Sequence, residues 1–150
     1  MDKLAVASKV MKPVVKMVGA QNRLMVRVPG GKAMVGAMNR ALGKLLPRLS
    51  FLGFRKDPSY ENALHNWETY LVLVGAGDYE KETRGPRENV YTFHKCPAGF
   101  CRSAHADACD ATMVLDHSVV ESSGARLRVD KTIPVDGVCV EVVVPAGGSV

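Results

Sequence analysis

The sequence lacks any apolar run long enough to cross a lipid bilayer, which requires about 18 to 20 consecutive apolar residues. It also lacks a charged N-terminal segment followed by an apolar block and a small-residue cleavage site, so no secretory signal is predicted. We therefore expect a cytoplasmic protein. Hydrophobic residues make up 47% and charged residues 23% of the 150 positions, which is typical of one soluble globular domain.

Cysteines are few, and the CxxC pairs that many structural zinc sites use are absent. We expect the four cysteines to be free thiols, because no signal directs the chain to an oxidising compartment. Three of them lie with one histidine in the fifteen-residue stretch KCPAGFCRSAHADAC, residues 95–109. This stretch is the strongest candidate for a functional site.

Acidic residues are nearly absent from the first third of the chain. Residues 1–56 contain twelve Lys or Arg and one acidic residue, a net charge of +11, whereas residues 57–150 contain eight and fourteen, a net charge of −6. The basic part has only Phe51 and Phe54 as aromatic residues, and single-stranded nucleic acid is bound by aromatics placed among the charges. We expect a solvated basic face and no nucleic acid partner, with weak contact to an anionic surface as the alternative.

Helical periodicity dominates the first half of the chain. Apolar residues three or four positions apart predict helices over residues 2–18, 32–46 and 57–74, and Pro13 is expected either to kink the first of them or to shift its start. In the third helix we expect Trp67 to anchor the core or to form the wall of a binding pocket. The second helix is expected to pack into the core or against a second copy of the chain through Met34, Ala37, Met38, Ala41, Leu42, Leu45 and Leu46.

Alternating patterns predict strands in the second half. We expect a strand at residues 89–94, a helix over residues 97–117, and strands at residues 125–133 and 138–144. Asp136-Gly137 predicts a two-residue hairpin turn between the last two strands. With that turn, the last strand alternates between an aliphatic face and a polar face.

The order of these elements predicts one α+β domain over residues 1–150, with N-terminal helices packed on a small antiparallel sheet that ends in a β-hairpin. Residues 1–77 are expected to be mainly helical, residues 78–144 to form strand, helix and hairpin, and residues 145–150 to form a tail. Cys139 is expected opposite the aliphatic face, toward solvent, a helix or a polar pocket. Lys131 is expected on the aliphatic face, extending to its edge or into a ligand site.

Cys96 stands between a predicted strand and Pro97, a residue suited to the first turn of a helix. We therefore expect Cys96 at the N-cap, where unpaired N–H groups and the helix dipole favour a thiolate. The alternative is a small buried residue at the junction between strand and helix.

Cys101, His105 and Cys109 are spaced four residues apart, so on a helix they form one stripe that continues to Asp116. A thiol beside an imidazole and a carboxylate is an arrangement used in covalent catalysis. The alternatives are simple packing and a zinc site. No cofactor is predicted, and the ligands of a zinc ion would be Cys96, Cys101, His105 and Cys109.

Three segments between residues 89 and 144 carry a further pattern: KCPAGF after a strand, then ACDATMVLD, then SSGARLRVDKTIPVDGVCVEV. In these segments the sequence resembles the L-2-amino-thiazoline-4-carboxylic acid hydrolase family. The family often has another cysteine at the position of Met113. The sequence is also somewhat similar to the 4-vinyl reductase domain, a small-molecule-binding module. The matching positions for the hydrolase family are Cys96-Pro97, Cys109, Asp116, Gly124, Arg128 to Thr132, Asp136-Gly137 and Cys139.

The hydrolase resemblance implies attack of a cysteine thiolate on the C=N carbon of a small heterocycle, with proton transfer by neighbouring side chains and a cationic clamp on the substrate carboxylate. We therefore predict a cysteine-dependent, hydrolase-like enzyme that opens or transforms a small cyclic C–N or C–S compound. The candidate catalytic residues are Cys96, Cys109, His105 and Asp116, and the candidate substrate-binding residues are Lys131, Arg128, Cys139 and Trp67.

Two alternatives stay open. One is a non-catalytic module that binds a small molecule or a metal on the same scaffold. The other is an isomerase or lyase that uses Asp116 and His105 for acid–base chemistry without a covalent step.

Overall fold

A computed structural model describes residues 3–147, and this part of the chain forms five α-helices and one four-stranded antiparallel sheet. The α+β class predicted from the sequence is confirmed. No helix among these residues is both long enough and apolar enough to span a membrane. The helices are α1 (Lys3–Met25), α2 (Gly31–Leu45), α3 (Tyr60–Val74), α4 (Ala106–Ser122) and α5 (Ile133–Asp136), and the strands are β1 (Glu80–Thr83), β2 (Asn89–Phe93), β3 (Ala125–Lys131) and β4 (Cys139–Pro145).

The first helix, α1, continues seven residues beyond its predicted end at Val18. Pro13 lies on its exposed side, where water can bond the carbonyl group that proline leaves without an N–H partner. The buried side of α1 carries small and polar residues, among them Ser8, Gly19 and Asn22. A Cβ on Gly19 would lie 2.2 Å from the carbonyl oxygen of Ala98, so glycine is needed for this close approach.

The helix α2 packs against α4 through its small residues. A Cβ on Gly43 would lie 2.5 Å from the Cβ of Ser118, and the Asn39 side chain donates to the carbonyl oxygen of Ala111 at 3.0 Å. The prediction that the methionine-rich stripe of α2 is buried in this chain is therefore wrong. Close contact between two helices requires small side chains, and the larger ones remain exposed: Met34, Met38, Leu42 and Leu45.

The helix α3 ends where its sequence predicts, at Val74, and begins at Tyr60, three residues after the predicted start at Asp57. The hydroxyl of Ser59 caps its start by accepting from the N–H of Asn62 at 3.0 Å. Gly75 ends it in the left-handed conformation, at a φ of 81°. Trp67 is fully buried, with its ring centroid 5.5 Å from that of Tyr70 and 6.2 Å from that of Tyr91. This aromatic cluster joins α3 to the sheet.

The sheet has the strand order β1-β2-β4-β3, with neighbouring strands antiparallel. The strand β1 lies in a segment for which the sequence predicts only a polar connection. All four of its side chains are exposed, so this edge strand lacks the apolar alternation that identifies a half-buried strand. The predicted strand at residues 89–94 is confirmed as β2, one residue shorter.

The predicted hairpin turn at Asp136-Gly137 is wrong. The short helix α5 joins β3 to β4, and Val129 pairs with Glu141; a two-residue turn would have paired it with Val144. The register differs by three residues, an odd number, so the two faces of β4 are exchanged. Cys139 and Glu141 are consequently buried against the helices, whereas Lys131 lies exposed at the end of β3.

The predicted helix start at Pro97 is also wrong, and Cys96 is not an N-cap. The chain turns after Cys96, with Gly99 at a φ of 77° and its N–H bonded to the carbonyl oxygen of Cys96 at 3.1 Å. The helix α4 begins only at Ala106. A left-handed glycine two residues after the proline is incompatible with a continuous helix.

Candidate functional site

A largely apolar cavity of about 210 Å³ lies between α1, α2, α3, α4 and the strands β2 and β4. Its walls include Trp67, Phe93, Phe100 and Met113. Val18 and Leu42 also line it and are 39% and 46% exposed, so the cavity reaches the surface between α1 and α2. The thiol, carboxyl and phenol groups of its lining belong to Cys96, Cys109, Cys139, Asp116, Glu141 and Tyr70.

Five of the predicted site residues line this cavity. They come from separate elements: α3 supplies one of them, the turn after β2 one, α4 two and β4 one. A mainly apolar cavity with a few convergent polar groups is the usual form of a small-molecule site. The five are Trp67, Cys96, Cys109, Asp116 and Cys139.

His105 and Cys101 do not line the cavity, although the sequence predicts that they share a stripe with Cys109. They precede α4, and the Nδ1 of His105 accepts from the backbone N–H of Cys101 at 3.3 Å. Partial desolvation, followed by the charge of Arg23, lowers the pKa of His105. Within residues 3–147, no three His, Cys, Asp or Glu side chains form a group that could hold a metal ion.

Arg128 and Lys131 lie on the exposed side of the sheet, away from the cavity lining. Arg128 forms ion pairs with Asp130 at 2.7 Å and with Glu88 at 3.4 Å. Arg128 faces outward because its neighbours Leu127 and Val129 face inward, and the register shift between Val129 and Lys131 turns Lys131 outward as well. Lys95 is the basic residue among the described lining residues.

The backbone of the turn after Cys96 acts on its thiol. Burial has the largest effect and raises the thiol pKa above its ordinary value, whereas the N–H groups of Phe100, Ala98 and Gly99 favour the thiolate and lower the pKa. The charge of Asp116 raises it further. The turn thus favours negative charge on sulfur, but burial outweighs it and keeps the thiol neutral at neutral pH.

Asp116 lies on the same face of α4 as Cys109, two turns further along the helix. Burial raises the pKa of its carboxyl group to about 7, and a hydrogen bond from the Tyr70 hydroxyl, at 2.6 Å, acts in the opposite direction. A carboxyl group with a pKa near neutral pH is suited to accept and return protons. Burial also raises the pKa of Cys109 to about 12, so this thiol is a poor nucleophile.

Glu141 is 4% exposed. Burial, and then the charge of Asp116, raises its pKa well above the ordinary value, so its carboxyl group is neutral and can donate a proton. The Cys139 thiol donates to Oε1 of Glu141 at 3.3 Å. The other carboxyl oxygen of Glu141, Oε2, is buried and has no hydrogen-bond partner among residues 3–147. The same is true of the indole Nε1 of Trp67. Buried polar atoms of this kind are normally satisfied, and both of these residues line the cavity.

The sequence analysis overlooked Glu141 and Tyr70 as site residues. Glu141 interrupts a strand that is otherwise rich in valine, CVEVVVP, and a single acid in such a strand is a usable signal. Tyr70 follows Trp67 by three residues on α3, so the two lie on one face of the helix. Only the packing of α3 against α4 shows that the tyrosine reaches Asp116.

Comparison of the chain with protein-family models and with curated proteins gives no match. The resemblance to the L-2-amino-thiazoline-4-carboxylic acid hydrolase family therefore stays a prediction.

Proposed function

We propose that this protein is a hydrolase-like enzyme that opens a small, mainly apolar heterocycle through a covalent bond to Cys96. The observation that carries the proposal is the convergence of Cys96, Asp116 and Glu141 on one cavity, where Glu141 and Trp67 each hold a buried polar atom without a partner. A substrate with two acceptor atoms would satisfy both, because the indole N–H and the neutral carboxyl group are both donors. The resemblance of residues 89–144 to the hydrolase family agrees with this chemistry.

The first step is addition of the Cys96 sulfur to the substrate. Asp116 accepts the thiol proton, and the three N–H groups of the turn after Cys96 stabilise the thiolate. A bond forms between sulfur and the carbon of the C=N group as its π bond breaks. The substrate nitrogen takes the proton from Asp116, which returns to its carboxylate form.

The second step opens the ring and releases the product. The ring C–S or C–N bond breaks, and the leaving heteroatom takes a proton from the neutral carboxyl group of Glu141. Water then adds to the same carbon: its oxygen becomes the new carbonyl oxygen, one of its protons returns to Glu141, and the other goes to Cys96 as the bond to the enzyme breaks. The net change is hydrolysis, and all three side chains regain their starting state.

The lining of the cavity indicates the substrate class. Its interior is apolar and holds two acidic side chains, so a substrate with a deeply buried carboxylate would be repelled whenever either acid ionises. Lys95 is the lining residue that could accept an anionic group, and it is exposed. We therefore expect a neutral or cationic ring in the interior, with any carboxylate held beside Lys95.

The proposal is tested by mass spectrometry after incubation with a panel of thiazolines and cyclic imines. Ring opening by the wild type and a covalent adduct on the peptide that contains Cys96 are expected. Cys96→Ser should abolish both, and Asp116→Asn should slow turnover by roughly a hundredfold or more. Cys101→Ser is the matched control, because this exposed thiol lies outside the cavity lining. Full turnover by Cys96→Ser would contradict the proposal.

A proton-transfer isomerase or lyase is the second candidate. It is favoured by the carboxyl pair, since Asp116 has a pKa of about 7 and Glu141 stays neutral, which separates the roles of base and acid. In such an enzyme Glu141, rather than His105, acts with Asp116 in the acid–base chemistry. Such an enzyme keeps its activity in Cys96→Ser and loses it in Asp116→Asn, and a non-catalytic module binds its ligand equally well in both variants.

A further inference from the structure

Exposed apolar residues are concentrated in the first third of the chain. Of the thirteen large apolar side chains that are exposed among residues 3–147, ten lie on α1, on α2 or in the connection between them. A soluble monomer rarely leaves so many in one region, and such a patch marks an interaction surface. The most exposed on these helices are Val10 at 62%, Met17 at 63%, Leu24 at 66% and Met38 at 64%.

These side chains form two exposed strips, one on α1 and one on α2, which together we call the α1–α2 face. The strip on α1 consists of Val10, Met17 and Leu24, which are spaced by seven residues and so share one side of the helix. On α2, Met38 and Leu45 lie one turn on either side of Leu42. Val18 of α1 and Leu42 of α2 are both exposed and both line the cavity, so each of the two helices contributes an exposed apolar residue to its lining.

Basic residues accompany this face and are not neutralised by the rest of the protein. Residues 1–56 carry a net charge of +11. Within residues 3–147, Lys32 is the only basic residue of this segment in an ion pair, with Asp107 and Asp110. Lys9 and Lys16 are exposed and lie on α1 next to Val10 and Met17. The helix therefore combines a core side, an exposed apolar side and a basic side.

We propose that the α1–α2 face docks on an anionic lipid bilayer, with the apolar side chains in the headgroup region and the lysines on the lipid phosphates. A helix with exposed apolar and basic sides is the usual structure for lying in a membrane interface, and anionic lipids attract basic residues. A second copy of the chain fits less well, because pairing two such faces brings together two surfaces of strong positive charge.

Docking in this orientation places the cavity mouth against the lipid. Val18 and Leu42 belong both to the docked face and to the cavity lining. An apolar ligand dissolved in the bilayer would then enter the cavity without crossing water. This consequence rests on the proposed function, whereas bilayer docking does not depend on the chemistry of the cavity.

The test is flotation of the full chain with vesicles of phosphatidylcholine, with and without about one-third phosphatidylglycerol. We expect binding only to the anionic vesicles, and we expect it to be lost as salt rises from about 0.05 M to about 0.5 M, because screening shortens the range of the attraction. Equal binding to both vesicles, or none to either, would overturn the proposal.

Two sets of substitutions separate the apolar and basic contributions. The triple variant Met17→Ser, Leu24→Ser, Met38→Ser, with no residue from the cavity lining, should lose binding. Lys9→Gln with Lys16→Gln should weaken it by about 25-fold, since each basic residue near an anionic surface contributes about fivefold. Wild-type affinity in either variant contradicts the proposal.

Matched controls alter the same chemistry elsewhere on the surface. Val135→Ser removes an apolar side chain that is 70% exposed on α5, and Arg87→Gln with Arg126→Gln removes two exposed charges. Both should bind vesicles as the wild type does. Size-exclusion chromatography with light scattering is run in parallel: self-association that the triple variant abolishes, without vesicle binding, would overturn the proposal in favour of a dimer interface.

Discussion

The Tyr70 hydroxyl donates a hydrogen bond to Oδ1 of Asp116 at 2.6 Å, and this contact joins α3 to α4 at the wall of the cavity. Burial raises the pKa of Asp116 to about 7, and the Tyr70 hydrogen bond limits that rise. Burial and the charge of Asp116 in turn raise the pKa of Tyr70 well above its ordinary value. Tyr70 therefore remains a donor throughout the pH range in which Asp116 titrates.

Replacing Tyr70 by phenylalanine should raise the pKa of Asp116 above about 7, because the ionised carboxylate loses its donor. The free energy of unfolding at neutral pH should fall by about 1–3 kcal/mol, since a buried acceptor is left without its partner. Carbon-detected NMR titration of the aspartate carboxyl groups measures the shift. Tyr79→Phe is the control, because the Tyr79 hydroxyl has no hydrogen bond within residues 3–147; the same shift in both variants would contradict the assignment.

The buried Asp116 makes stability depend on pH. Its pKa in the folded protein, about 7, lies above the ordinary 3.8, so the folded state binds this proton more tightly than the unfolded chain does. The contribution of Asp116 to the free energy of unfolding should therefore fall as pH rises from about 4 to about 7, by at most roughly 1.4 kcal/mol per pH unit, and level off above about 7. Glu141, whose pKa burial also raises, adds a decrease of the same sign.

Asp116→Asn should flatten this dependence and should be more stable than the wild type above about pH 7, because an amide carries no charge to bury. Urea unfolding at a series of pH values gives the slope for each protein. Asp78→Asn makes the same chemical change at an exposed position and serves as the control. A full wild-type slope in Asp116→Asn would show that another group governs the pH dependence.

Local signals were sufficient for much of the fold. Ser59 and Gly75 mark the two ends of α3 because capping depends on neighbouring residues alone. Asp136-Gly137 shows the limit of such signals. The pair is typical of a hairpin turn, but here Gly137, at a φ of 74°, ends the helix α5, and Asp136 accepts from the N–H of Thr132 at 2.9 Å. Both structures need a left-handed glycine, so sequence alone does not separate them.

The ambiguity between a hairpin turn and a helix end at Asp136-Gly137 limited how much of the site could be predicted from the sequence. Cys96, Cys109 and Asp116 follow from one segment of the chain, and the structure does bring them to one cavity. The register of β4 decides which of its residues face inward, and the sequence-based register placed Lys131 rather than Glu141 toward the aliphatic core. The contact between Tyr70 and Asp116 comes from helix packing, for which the sequence contains no local signal.

The contact between α2 and α4 predicts opposite effects for two glycines on one helix. A Cβ at Gly43 would lie 2.5 Å from the Cβ of Ser118 and 2.7 Å from the oxygen of Leu115. Gly43→Ala should therefore destabilise the protein by about 1–3 kcal/mol through overpacking. At Gly36 the nearest atom is 3.8 Å away, so Gly36→Ala should stabilise it by up to about 1 kcal/mol, through helix propensity.

Chemical denaturation of the two alanine variants beside the wild type measures both effects. Gly36→Ala is the internal control, because it makes the identical substitution on the same helix without a clash. Stabilisation of similar size in both variants would show that backbone entropy, rather than contact with Ser118, dominates at these positions. Unchanged stability in Gly43→Ala would contradict the close packing of α2 on α4.

The four thiols should react in an order set by access and burial. Cys101 is exposed, Cys96 half-buried, and Cys109 and Cys139 only 6% and 9% exposed. A charged disulfide reagent should therefore label Cys101 first. Burial raises the pKa of Cys96, so its labelling should be slow at neutral pH and should accelerate as pH rises, because the thiolate is the reactive form.

The Cys101→Ser variant isolates the cavity in this experiment. In that background a small apolar maleimide should label Cys96 faster than a charged reagent does, since the cavity walls are apolar, and a bound ligand should slow the reaction. Cys109, with its pKa raised to about 12 by burial, should react only after unfolding. Labelling of Cys109 as fast as Cys96 in the folded protein would mean that the nucleophile lies on α4 rather than in the turn after β2.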